Sequence, residues 1–121
     1  MTINVPGGIS PPRVYNLTIT SPGTIANAGT YTSDVIATGG LRHVAINAQI
    51  DQAGTLGLQR YQDSGGIVTA GTLVTASMTK NTTASIDNLG TVISQSAKIT
   101  IVNGATTAAT ISTINISLQE D

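Results

Sequence analysis

Between Gln49 and Gly66 the chain reads QIDQAGTLGLQRYQDSGG. Two runs of alternating apolar and polar residues flank Asp51-Gln52-Ala53-Gly54, and Asp63-Ser64-Gly65-Gly66 closes the second run. Alternation bounded by Asp and Gly is the pattern of a β-hairpin followed by another turn. A period of two sends successive side chains to opposite faces, so each run has one face to bury and one to solvate. Nothing in this stretch is arranged for chemistry.

The same habit extends along the chain. Val14 to Thr20 alternates, with Tyr15, Leu17 and Ile19 on one side. Ser21-Pro22-Gly23 and Asn27-Ala28-Gly29 punctuate a loop. Thr30 to Ala37 is a strand ended by Gly39-Gly40. Leu41 to Ile50 puts Val44, Ile46, Ala48 and Ile50 on one face. Thr55 to Gln62 puts Leu56 and Leu58 on one face and Tyr61 on the other. Ile67 to Met78 is interrupted by Gly71, which predicts two short strands or one with a bulge. Short strands at Thr82 to Asp87 and Thr91 to Ser94 flank Asn88-Leu89-Gly90. Ala97 to Val102 leads into the turn dipeptide Asn103-Gly104, and Thr110 to Gln119 closes the chain with Ile114, Ile116 and Leu118 on one face. No segment has a helical period with caps. Eight or nine short strands predict an all-β sandwich, jelly-roll-like, over residues 14–121.

Composition agrees. Thr is the commonest residue, with 20 copies beside 15 Ile and 8 Val. All three are β-branched, and Thr is the one that tolerates water, so sheets with one wet and one dry face are expected. The chain has no Phe and no Trp. Its core must be aliphatic, and a thin aliphatic core leans on association between subunits.

Residues 1–13 differ from the remainder. They hold Pro6, Pro11 and Pro12 with Gly7 and Gly8, which predicts an extended N-terminal arm outside the sheets. Ile3, Val5 and Ile9 alternate with polar or flexible residues, so the arm can lay apolar side chains on a neighbour. These three are the candidate partner-binding residues.

Catalytic and metal sites find little support. Charged residues make up 9% of the chain and the net charge is −1, with no basic stripe for nucleic acid and no apolar run long enough for a membrane span. Zero Cys excludes disulfides and thiolate chemistry. His43 stands alone, on the face opposite Val44 and Ile46, as a solvent-facing strand residue. Asp51 and Asp63 each precede a Gly-containing turn and are expected to cap it. No phosphate loop or nucleophile elbow is present. Tyr15, Tyr31 and Tyr61 are too scattered to make a strong glycan platform. The expectation is a chain that is not an enzyme and takes no cofactor.

Two stretches also resemble a known family. Gln49 to Gly66 has a strand, Asp-Gln-Ala-Gly-Thr-Leu, a second strand and an Asp-Ser-Gly-Gly turn. Ala97 to Leu118 runs through Asn103-Gly104 to a closing apolar strand. The order is similar to that of small β-sandwich modules in tailed-bacteriophage virions, above all head decoration (cement) proteins. The chain departs from that pattern where Ile67-Val68, and Ile114 or Ile116, replace aromatic residues. The resemblance implies a structural virion protein on the outer capsid surface. It implies the major capsid protein as partner and a homo-oligomer, with a trimer favoured. The alternative is a tail or fibre adhesin that binds a receptor glycan through loops 21–29 or 63–66.

Overall fold

The computed structural model describes residues 14–20, 22–90 and 93–120. The expected arm, with Ile3, Val5 and Ile9, lies outside them. The described chain is 60% strand and has no helix. It runs as β1 (Val14–Ile19), β2 (Gly23–Ile25), β3 (Thr30–Thr32), β4 (Ile36–Ala37), β5 (His43–Ala48) and β6 (Gly54–Tyr61). It continues as β7 (Thr69–Met78), β8 (Ala84–Leu89), β9 (Ser96–Asn103), β10 (Ala109–Ile111) and β11 (Ile114–Gln119).

Two sheets face each other. One has the order β1-β11-β5-β8 and the other β3-β9-β6-β7, with β4 also on β9, while β2 and β10 pair separately. Every pairing is antiparallel. The first long strand pairs with the last (β1 with β11), β3 and β4 with β9, β5 with β8, and β6 with β7. That nesting is one long hairpin wrapped into two sheets, which is the jelly-roll topology. The expected all-β sandwich is therefore what forms, and it is not a closed barrel.

The alternation seen in the sequence builds the core. Val44, Ile46 and Ala48 from β5 share the interior with Leu56 and Leu58 from β6. Ile99 and Ile101 from β9 and Ile114, Ile116 and Leu118 from β11 complete it. The buried apolar side chains of this core are none of them larger than Ile, Leu or Met. The outer face of the β1-β11-β5-β8 sheet carries the small polar residues: Thr18 Oγ1 donates to Asn115 Oδ1 at 3.2 Å and Ser85 Oγ to Asn47 Oδ1 at 2.6 Å.

Some elements differ from expectation for local reasons. The Thr30–Ala37 run is split, because Ser33 Oγ takes over the ladder. It accepts from Ile99 N at 2.9 Å while Ser33 N donates to Ile99 O at 2.8 Å. The 21–29 segment is not simply a loop, since it holds β2 on β10. Asn103 keeps that corner in place: its amide donates to Ile25 O, Ala26 O and Thr107 O, and Oδ1 accepts from Ala105 N. Of the two readings of the Gly71 interruption, a single strand with a local irregularity is what forms. Gly71 has φ 76°, and the β6–β7 register shifts between Leu58 and Arg60, a conformation that favours a residue without a Cβ. β8 runs through Asn88-Leu89, which the sequence suggested as a turn.

Candidate functional site

β1 is an edge strand, and among the described residues it pairs only with β11. Its partners across the ladder are Leu118 for Tyr15 and Ile116 for Leu17. Paired residues share a face, so Tyr15 and Leu17 point toward the interior. Yet Tyr15 is 47% and Leu17 42% exposed, whereas Leu118 and Ile116 are 4% and 3% exposed. The cause lies opposite. There the facing sheet ends in β3 and the two-residue β4, both on β9, and Tyr15 and Leu17 stand half-open beside that edge.

The uncovered strip is one wall of an apolar slot of about 350 Å³. Tyr15, Leu17 and Leu118 line one side, and Ala37, Thr38, Gly39 and Leu41 the other. The second wall is held in place. Thr38 Oγ1 donates to Ser94 O at 2.8 Å, Gly40 N to Ser94 O at 3.1 Å, and Leu41 N to Thr38 O at 2.9 Å. Val14, at the mouth of β1, is also exposed. The slot offers apolar surface next to an edge strand that, among the described residues, pairs on one side only. Such an edge accepts another strand.

A second feature escaped the sequence reading. Arg60 follows Leu56 and Leu58 on the inward face of β6 and is only 4% exposed. Its Nη2 donates to Arg42 O at 2.6 Å, Asn88 Oδ1 at 2.9 Å and Asn88 O at 3.2 Å. Nε and Nη1 are buried without a hydrogen-bond partner. Burial holds the guanidinium below its ordinary pKa, because a charge loses hydration there. Gly90 makes the space: a Cβ on it would stand 2.8 Å from Arg60 Cζ and 2.9 Å from Nε. Arg60 thus clamps the chain before β5 and the end of β8 onto the other sheet. Its in-register position two residues after Leu58 was the available signal.

The remaining candidates fall in separate places. His43 is on the outer face as expected, but not alone there, because its Nε2 contacts Asp87 Oδ1 from the neighbouring β8. Among the described residues no three metal-ligating side chains of the His, Cys, Asp or Glu type come together. Asp63 caps its turn as expected, accepting from Val68 N at 2.8 Å and Ile67 N at 3.0 Å. The Val68 bond leads in holding its carboxyl below the ordinary range. Asp51 does not cap its own turn. Its Oδ1 accepts from Thr110 N at 2.7 Å, so it pins β10 instead. The three tyrosines form no single platform. Tyr15 lines the slot, Tyr31 packs against the core from β3, and Tyr61 lies under Lys98 Nζ at 5.3 Å. Burial, followed by the charge of Asp34, raises the Tyr31 pKa.

No protein-family model matches the chain, and no curated protein matches it by sequence. Several solved structures share part of its shape. A Bacillus endospore appendage structure, from a family described as disulfide-linked pili, is 12% identical with a TM-score of 0.49, covering 100% of this chain and 98% of that one. PirA is 14% identical with a TM-score of 0.43 over 88% and 93%. The Yersinia pseudotuberculosis-derived mitogen is 17% identical with a TM-score of 0.43 over 91% and 87%. At such identities and shape agreement, none of them bears on what this chain does.

Proposed function

We propose that this chain is a structural subunit that coats a larger assembly, and specifically a head decoration protein of a tailed bacteriophage. The observation that carries the reading is the β1 edge, where apolar side chains stand half-exposed beside an apolar slot on a strand that pairs, among the described residues, on one side only. Exposed apolar surface of this kind marks a protein–protein contact. The low charge of the chain and the resemblance of Gln49–Gly66 and Ala97–Leu118 to virion modules support the finer assignment.

In this mechanism the sandwich associates as a homo-oligomer, most simply a trimer, on the outer surface of the shell. The partner is the major capsid protein. Each copy contributes weak contacts, and repetition around the particle turns them into resistance to heat and internal pressure. The test is copy number per virion, by quantitative protein analysis of purified particles. A stoichiometry comparable to that of the major shell protein is expected. A handful of copies per particle would overturn decoration in favour of a tail or fibre role, and complete absence from particles would overturn the virion assignment.

A further inference from the structure

We infer that the cavity beside Arg60 binds a small monovalent anion of the halide class, which serves as the counter-charge of the buried guanidinium. The site is independent of which assembly the chain joins.

Arg60 is a cation without an anion. It is 4% exposed, and the acceptors of its Nη2 are all neutral: Arg42 O, Asn88 O and Asn88 Oδ1. Nε and Nη1 have no partner. Burial is the one cause of its lowered pKa, so no carboxylate among the described residues offsets it. A charge taken out of water is costly unless an opposite charge accompanies it. A buried Lys or His can escape that cost by losing its proton, but an Arg in a protein does not. A negative partner is the remaining way to offset it.

The space for that partner adjoins the side chain. A cavity of about 120 Å³ is lined by residues of β6, β7 and β8 and by Gly90. Arg60 is its one charged wall, Thr72 and Asn88 are its polar ones, and neither Asp nor Glu lines it. Asn88 Oδ1 is taken by Arg60 Nη2 at 2.9 Å, which leaves the Nδ2 end of that amide as a donor. A positive wall with added donors attracts an anion and repels a cation. The volume is well under the roughly 300 Å³ at which pockets begin to take organic ligands, so the anion is small.

Nε and Nη1 are closed to water, so seating an ion on them requires one side of the cavity to give. Gly90 is the firm side, since a Cβ there would stand 2.8 Å from Arg60 Cζ. The β7 side is the soft one. Among the described residues β7 is an edge strand, its ladder with β6 slips between Leu58 and Arg60, Gly71 has φ 76°, and Gly71 and Thr72 are exposed.

Bromide is the probe, because its anomalous scattering identifies it. In crystals soaked with sodium bromide, an anomalous peak is expected in contact with Arg60 Nε or Nη1. Peaks confined to the outer surface, or a water without anomalous signal on those nitrogens, would overturn the inference. In solution, bromide is exchanged for gluconate over a hundredfold range at constant ionic strength. The thermal midpoint of the parent should rise by at least about 3 °C with bromide, because an ion that binds only the native state stabilises it by mass action. Arg60→Met should lose that rise. A parent without the rise, or a rise that Arg60→Met keeps, counts against the site. A crystal peak with no rise in solution means binding at crystal concentration only and also overturns it. If Arg60→Met does not fold, Thr72→Glu takes its place, since it leaves Arg60 intact and tethers a carboxylate at the cavity. The bromide response should then shrink, and an undiminished response would reject the inference.

Discussion

Leu17 and Ile116 sit side by side on one face of one sheet, in register across a single ladder. Ile116 is 3% exposed and Leu17 is 42% exposed. The difference is not in residue type, because both are aliphatic; β1 is the edge strand of its sheet, whereas β11 lies between β1 and β5. Ile116 is enclosed between strands on both sides and buried, while Leu17 stands half-exposed in the slot beside Ala37 and Leu41. A position is made core by what faces it, and alternation alone supplies only the side to which it points.

The interior half of that comparison should break first. Ile116→Ala should cost about 2–5 kcal/mol, because the surrounding β5 and β11 aliphatics cannot fully collapse into the space. Chemical denaturation with an unchanged m-value would measure it. Arg60 tests the interior in a different way. Arg60→Ala removes the donor to three oxygens and opens a cavity, but also relieves a buried charge. A net loss of about 2–3 kcal/mol is expected from the orphaned acceptors. Gly90→Ala should be comparably damaging in the native background, because its Cβ would press on the guanidinium. Combined with Arg60→Ala, it should add little. A double-mutant cycle that gave simple additivity would show that Gly90 matters for its backbone and not for Arg60.

What the sequence made legible, and what it did not, follows the same division. The inward sets of β5, β6, β9 and β11 could be read from alternation, as could the Gly71 interruption and the Asn103-Gly104 corner. Each is a local signal: a period of two, or a residue suited to one backbone conformation. Strand count and turn spacing pointed to a jelly-roll-like sandwich but not to which strands pair, and the antiparallel nesting is seen only in the structure. Arg60 was missed because a period marks a position as inward but does not say that a cation can be accommodated there. That depends on Gly90, 30 residues away. The His43–Asp87 contact and the Asp51–Thr110 clamp are long-range pairings that no local pattern encodes. β2 is three residues long, and its pairing with β10 exists only because both flank the same corner. The slot was invisible for the most basic reason. Tyr15, Leu17 and Ile19 read as an ordinary inward set, and only the tertiary arrangement at the edge of the sandwich leaves two of them open.

Loop electrostatics give a smaller effect. Asp63 is outside the core, and its carboxyl is held below the ordinary value of 3.8, first by Val68 N and then, against some desolvation, by Ile67 N and neighbouring backbone donors. A carboxyl lowered in the native state stabilises it above the unfolded-state pKa. That contribution is lost as pH falls through the native value. Asp63→Asn should therefore be less stable than the parent at about pH 7, and the two should converge in strong acid. Thermal midpoints measured across that range would show the convergence. A constant difference would mean that the side chain acts through shape and not through charge.

The outer half of the comparison predicts the smallest change. Leu17 keeps much of its surface in water in the isolated chain, so Leu17→Ala should cost no more than about 1 kcal/mol there. Set against Ile116→Ala, that contrast between register neighbours measures what enclosure adds beyond ladder pairing. It also has a second, sharper use. If a neighbouring chain fills the slot, Leu17 becomes as covered in the oligomer as Ile116 is in the monomer. The parent then gains stability with protein concentration by mass action, and Leu17→Ala does not gain it to the same degree. The cost of Leu17→Ala should therefore grow as concentration rises, while that of Ile116→Ala should not grow in the same way. Thermal unfolding of the parent and both variants over a hundredfold dilution, about the range that mass action needs to be visible, separates the cases. A Leu17→Ala cost that stays flat with dilution would mean that the edge is bare in solution and that its apolar strip waits for a different protein.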